Sequence, residues 1–280
     1  MICVGPTGNC PGPPVAFCPT CNQGAPTAGH PINLATGNTY IQQKDITIPG
    51  LNGGLALSRT WISAWPSNQT AYQVGLFGSN WRSTYEEGVY LSGSYMEYVR
   101  GDGEIWFFSQ NGTSWVLSSP AKVTATLTQS GGVWTLVFKN GEQRTFNVAT
   151  GALASIIDRN GNTTTLTYDA SNRLTTVTDP ASRTLTFSYP NGTSRLVSGV
   201  SSSVGVAVSY AYDSSNRLHV VTEQDTSTLT FAYDSGSRIT SVTDSEGKVI
   251  EAHTYDAKNR GLTSTLANGV NAVTVAYPNE

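Results

Sequence analysis

Tyr212-Asp213-Ser214-Ser215-Asn216-Arg217-Leu218 decides the reading of this chain, because it recurs. The same order of side chains stands at Tyr168-Asp169-Ala170-Ser171-Asn172-Arg173-Leu174 and at Tyr233-Asp234-Ser235-Gly236-Ser237-Arg238-Ile239. A further copy reads Tyr255-Asp256-Ala257-Lys258-Asn259-Arg260-Gly261-Leu262, and degenerate copies begin at Phe146, at Tyr189 (leading to Arg195-Leu196) and at Tyr277. The marker aromatics stand at 146, 168, 189, 212, 233, 255 and 277, spacings of 22, 21, 23, 21, 22 and 22 residues. A fixed period of this size signals a repeat architecture, in which each unit buries its apolar face against its neighbours.

Each unit divides into two extended runs and two turns. One run ends at the marker, as in Leu185-Thr186-Phe187-Ser188-Tyr189 and Leu229-Thr230-Phe231-Ala232-Tyr233. Large apolar side chains alternate there with Thr, Ser or Ala, the period-two pattern of a strand. Asp, Ser, Asn and Gly follow, residues whose side chains bond their own backbone and accept turn dihedrals. The second run, as in Leu174-Thr175-Thr176-Val177-Thr178-Asp179 or Ile239-Thr240-Ser241-Val242-Thr243-Asp244, is closed by another turn. One repeat is therefore a β-hairpin with strands of about five to seven residues. A propeller blade needs about 40 residues, so a continuous sheet that gains one hairpin per repeat fits this period better.

The Tyr-Asp-x-x-Asn-Arg-Leu-x-x-Val-Thr-Asp unit at this period resembles the YD repeat of bacterial Rhs proteins, insecticidal toxin-complex shells and animal teneurins. The resemblance implies a long β-sheet spiralling into a hollow shell, which in that family encloses a toxin domain or presents an adhesive surface. The first half of the chain carries a second resemblance. Asn33-Leu34-Ala35-Thr36-Gly37-Asn38-Thr39-Tyr40, Arg59-Thr60-Trp61 and Gly78-Ser79-Asn80-Trp81-Arg82 followed by Tyr85-Glu86-Glu87 resemble, in that order, the lead-in domain before the YD repeats of many Rhs proteins. Ser79-Asn80 departs slightly from the Gly or Pro often seen there. The two resemblances together span about residues 30–280. The expected fold class is thus all-β: a spiralling antiparallel sheet of YD-repeat hairpins over 146–280, an irregular Trp-rich β domain over 32–145, and a Pro/Cys-rich extended arm over 1–31. All six tryptophans lie between 61 and 134. Core packing of their rings is expected, plugging one end of the repeat sheet.

Only 12% of residues are charged and the net charge is −3, which removes the electrostatic case for nucleic acid. No apolar run approaches the ~18 residues of a membrane-spanning helix. Richness in Thr, Ser, Gly and Asn with little Lys or Glu points to an extracellular or cell-surface location. Met1-Ile2-Cys3 carries no tripartite leader pattern, so the expectation is a leader already removed or a processed segment. The first 31 residues hold seven of the thirteen prolines, a density no central strand tolerates. They also hold Cys3, Cys10, Cys18 and Cys21. Two disulfides suit an arm without a core. A zinc site using all four cysteines, supported by Cys18-Pro19-Thr20-Cys21, is the rival, and redox chemistry a third reading. A mass measurement separates them, through the loss of four protons or the gain of an ion.

Catalytic machinery has little to stand on. His30, His219 and His253 are scattered, and none lies in a zinc-protease or nucleophile-elbow pattern. Glu86, Glu87 and Glu97 could be paired carboxylates, but their separation is not fixed by sequence. Asp158-Arg159-Asn160-Gly161-Asn162 has oxygen side chains at alternate positions, as in part of a calcium loop, yet lacks the distal Glu. Glycosylation sequons at Asn68, Asn111, Asn162 and Asn191 matter only where the source glycosylates. No enzyme, cofactor or metal is therefore expected. The marker residues Tyr168, Asp169, Arg173, Tyr189, Arg195, Tyr212, Asp213, Arg217, Tyr233, Asp234, Arg238, Tyr255, Asp256, Arg260 and Tyr277 are expected to be structural. Their tyrosines would form a cross-strand ladder, and each Arg would reach the Asp of an adjacent repeat.

Three functions follow as expectations. Copies of the chain join through sheet edges and the arm into a shell, tube or filament, because the uncharged run Val273-Thr274-Val275-Ala276-Tyr277 is a template for another strand. Alternatively the chain is a monomeric module for glycans or cell-surface partners, or a fragment of a longer toxin shell. With so few repeats, the spiral is expected not to close on itself.

Overall fold

The computed structural model describes residues 27–29, 31–66, 69–121 and 123–277. The four cysteines and His30 lie outside the described residues, and so do the disulfide and zinc expectations for the arm. No helix among the described residues is long and apolar enough to cross a membrane.

From Gly88 to Thr274 the chain forms one antiparallel sheet of nineteen strands, each pairing with the next in sequence. The period-two pattern explains it. In the strand Thr184–Ser188, Leu185 and Phe187 point inward and are buried, while Thr186 and Ser188 face out and are exposed. The all-β expectation holds, with only three short 3-10 turns interrupting the strands among the described residues. The strand Gln143–Asn147 runs through the expected boundary at 146 and pairs on both sides. The sheet therefore begins well before the first marker.

Both rims of the repeat sheet are built from one kind of turn. At the marker rim, the Asp169 N–H donates to the Arg173 carbonyl and the Asn172 N–H to the Asp169 carbonyl, at 3.0 and 2.9 Å. This is a three-residue hairpin loop whose last loop residue must take a left-handed conformation. Asn172, Asn216, Ser237 and Asn259 fill that position with φ of 56, 59, 60 and 65°. The register shifts at each of these turns, beside Tyr168, Tyr212, Tyr233 and Tyr255, which marks a bulge. At the opposite rim Ser182, Thr226 and Gly247 occupy the left-handed position, with φ of 63, 72 and 77°.

The expectation that the spiral cannot close is corrected at its start. The first sheet strand, Gly88–Ser92, folds back onto the turn before the strand Leu153–Ile157. The Val89 N–H donates to the Gly151 carbonyl at 3.0 Å, the Leu153 N–H to the Glu87 carbonyl at 3.2 Å, and Gly88 bridges Ala152. Eight consecutive strands, from Gly88–Ser92 to Leu153–Ile157, thus close into a ring, and the repeats continue from it. Gly151 is obligatory here: its φ is +73°, and a Cβ on it would stand 2.4 Å from the Val89 carbonyl oxygen.

A second layer lies against the repeat sheet. The strands Tyr40–Ile48 and Leu55–Ile62 form a hairpin, with Trp81–Ser83 added to it. Its aromatics meet those of the repeats edge to face: Trp61 with Tyr255, Phe77 with Tyr210, Trp81 with Phe231 and Tyr85 with Phe187. The tryptophans therefore do not plug one end of the repeat sheet as a group. Trp61 and Trp81 lie along its inner face, while Trp106 packs with Tyr98 and Phe138 inside the ring. One hydrophobic cluster joins the inner hairpin, the ring and the repeats.

Candidate functional site

The marker residues form one connected network along the rim. Each tyrosine hydroxyl donates to a carbonyl of the preceding repeat: Tyr168 to Leu153, Tyr189 to Leu174, Tyr212 to Val197, Tyr233 to Leu218, Tyr255 to Ile239 and Tyr277 to Gly261. These bonds measure 2.7–2.8 Å. Successive rings are thus linked through the backbone rather than ring on ring, unlike the expected ladder.

Each marker Asp organises its own turn. Asp213 Oδ1 accepts the N–H groups of Ser215 and Arg217, and its Oδ2 accepts Arg217 Nε at 2.7 Å. Asp169, Asp234 and Asp256 repeat the pattern with Arg173, Arg238 and Arg260. The expectation that Arg reaches the Asp of an adjacent repeat is therefore corrected. The four-residue spacing across the turn brings the two together within one repeat. Arg reaches the next repeat in another way, by laying its guanidinium on the next tyrosine. Arg173 lies over Tyr189, Arg217 over Tyr233, Arg238 over Tyr255 and Arg260 over Tyr277, at 4.7, 4.7, 5.1 and 4.0 Å from the ring centroids. Arg238 Nη1 also donates to the Asp256 carbonyl at 2.6 Å.

The electrostatics follow the contacts. Partial burial pushes the Asp213 carboxyl up, but the backbone N–H and guanidinium of Arg217 outweigh it and hold it below the usual carboxylate range. Asp179, Asp234 and Asp256 behave alike, each beside its own Arg. Arg195 follows a unit with no Asp and reaches back to the Ser171 carbonyl at 3.3 Å. That irregular unit has a structural counterpart. The loop after Tyr189 receives the inner layer at Leu76, whose carbonyl accepts the Val197 N–H at 2.9 Å.

The candidate catalytic residues are each occupied separately. Glu86 accepts the Leu76 N–H and the Ser83 hydroxyl, Glu87 the Tyr98 hydroxyl, and Glu97 the Gln69 amide and the Tyr72 hydroxyl. His219 bonds the Phe231 carbonyl, and His253 is buried against Glu251 at 2.7 Å. Asp158 accepts the N–H groups of Asn160 and Asn162 and the Asn162 side-chain amide, as a turn residue does. No group of three or more His, Cys, Asp or Glu among the described residues could hold a metal ion.

Sequence reasoning missed the interior. Arg59, fully buried, is held by Asp45 through Nη2 at 2.8 Å and through Nε, and Tyr210 donates to the same carboxylate at 2.6 Å. This triad fastens the inner hairpin to the repeat sheet. Arg59 is a lone charge in the alternating run Leu55–Ile62, which is the signal that could have flagged it, whereas Asp45 follows Lys44 and carries no such mark.

The edge of the sheet completes the candidate site. The strand Val273–Thr274 pairs on one side with Gly261–Leu266, and among the described residues no ladder or bridge pairs its other side.

The geometry defines a protein of β-hairpin repeats wound over an inner hairpin. The chain carries RHS repeats: the profile "RHS Repeat" matches residues 149–184, 168–207 and 212–249. A profile described as "Domain of unknown function (DUF6531)" matches residues 29–108. Over 144 residues the chain is 30% identical to the tRNA nuclease WapA of Bacillus subtilis strain 168 and to the tRNA3(Ser)-specific nuclease WapA of Bacillus spizizenii. That stretch is 51% of this chain and 6% of each relative's length. Among solved structures, TcdB2-TccC3 without its hypervariable C-terminal region is similar at 16% identity and a TM-score of 0.33, over 82% of this chain and 12% of that one. The Photorhabdus luminescens Tc holotoxin pore is similar at 13% identity and a TM-score of 0.31, over 82% and 17%.

Proposed function

We propose that this chain is a non-enzymatic, extracellular structural protein: a length of YD-repeat wall extended by strand addition at the Val273–Thr274 edge, where copies of the chain meet. One observation supports this most. The outermost repeat is built like the interior ones right up to the edge, with Tyr277 bonded to the Gly261 carbonyl and Arg260 laid on its ring. An edge whose residues already hold register has little ordering left to lose when a further strand joins it. An unpaired edge of this kind is a template for pairing. The opposite edge strand, Gly88–Ser92, is bonded back into the ring at its start. That weighs against a head-to-tail filament and favours a two-fold pair joined through the two Val273–Thr274 strands.

The 6% coverage of the WapA relatives favours a second reading, in which further repeats of one longer toxin-enclosing polypeptide continue the same edge. A glycan- or cell-surface-binding role draws little support from marker tyrosines that are partly buried and bonded to carbonyls.

Light scattering after size exclusion tests the proposal. The expected result is a species larger than the 29.8 kDa chain that grows with concentration. Thr274→Pro, which blunts the edge without touching the core, should return it to the monomer. A monodisperse monomer at high concentration would sink self-association and leave the longer-shell reading.

A further inference from the structure

We propose that the open end of the eight-strand ring is a binding pocket for a small organic carboxylate. A closed sheet of about eight strands leaves an interior that side chains fill or a single small ligand occupies, and barrel mouths are favoured ligand sites. In this ring the middle is filled, by Leu127, Leu136 and Phe146 among others. Toward one end a cavity of about 410 Å³ opens, with Tyr98, Trp106 and Phe138 in its lining and Arg100, Lys139 and Arg144 beside them.

The cations differ in how far they are satisfied. Arg100 is shared between Asp102 and Glu104, each at 3.3 Å, and lies over the Trp106 ring. Arg144 is held loosely: its Nε stands 3.4 Å from Glu87 and its Nη2 3.8 Å from Glu142. That Nε is buried and makes no hydrogen bond. Its guanidinium is nonetheless fixed in place, 5.4 Å from the Phe138 centroid, with Nη1 on the Gln143 carbonyl at 3.1 Å. Lys139 projects from the neighbouring turn and is exposed. The guanidinium of Arg144, among the residues that line the cavity, offers a flat set of donors to a planar, charged acceptor.

The acidic neighbours narrow the choice of anion. Glu87 and Glu142 also line the cavity, so a dianion such as phosphate meets two carboxyl groups there. A monoanion meets less repulsion. Burial pushes the Glu87 carboxyl up against the pull of Arg144, and Tyr98 donates to it at 2.5 Å. The aromatic lining supplies an apolar wall for the body of the ligand. The pocket lies away from the Val273–Thr274 edge and does not depend on the assembly proposed above.

Calorimetric titration of the whole chain tests this with benzoate and glucuronate as carboxylates of flat and hydroxylated body, and with glucose and inorganic phosphate as controls. Saturable binding of at least one carboxylate is expected, and neither control should match it. Arg144→Gln should weaken that binding about tenfold or more, and Lys139→Ala about fivefold. Lys139 sits on an exposed turn, so its variant tests the site even where Arg144→Gln disturbs folding. The proposal fails if neither carboxylate binds saturably up to about 10 mM, if phosphate binds as tightly, or if Lys139→Ala leaves the binding unchanged.

Discussion

Thr226 holds a φ of 72°, a conformation a β-branched residue rarely adopts. The same turn position is filled by Asn172, Asn216 and Asn259 at the other rim, where Asn tolerates the left-handed region. Thr226 gains nothing visible in return: its N–H completes the turn by donating to the Glu223 carbonyl, and any residue but proline supplies that bond. Thr226→Asn is therefore expected to stabilise the protein by about 1 kcal/mol. A urea unfolding midpoint that fails to rise would contradict the strain argument. The Asp-x-x-Asn-Arg turn was legible at this scale, since each of its residue types has one local use. The destination of Arg173, Arg217, Arg238 and Arg260 was not. A guanidinium has several donors and a flat face, and only the register of the next hairpin decides which partners meet it.

Among the elements, the hairpins could be read from the alternation of the strands and the turn residues between them. Ring closure could not. It rests on Gly88 and Gly151, two glycines in a chain with 28, and on backbone groups that look alike in any sequence. The inner hairpin was equally hidden, because a strand such as Leu55–Ile62 states that one face is buried but not against what. The unit after Tyr189 looks degenerate in sequence, yet its departure coincides with the place where Leu76 is received. Gly151→Val tests the seam. The added side chain meets the Val89 carbonyl and the Tyr90 ring, and the φ of +73° disfavours it further. A loss of at least about 2 kcal/mol is expected, with faster hydrogen exchange at Val89 and Leu153 and little change in the distant repeats. Uniform exchange throughout would mean that the seam is not a separate closure.

For the whole molecule, two sets of carboxyl groups pull stability in opposite directions with pH. Burial raises Glu87, Glu104 and Glu223 above the ordinary glutamate range. Between the unfolded value and their folded ones the native state binds more protons, so stability rises as pH falls through those raised values toward the ordinary glutamate range. Asp169, Asp179, Asp213, Asp234 and Asp256 lie below their ordinary range, so their contribution is complete above about pH 4 and is lost as pH falls further. A stability maximum near pH 5 is expected in urea titrations, and a steady decline from pH 7 to 5 would rule it out. The tyrosine bonds, finally, all point one way, from each repeat to a carbonyl earlier in the chain. The partner of every new hairpin has thus already been synthesised when that hairpin leaves the ribosome. The inner hairpin, made earlier still, can serve as the mandrel on which the wall is wound.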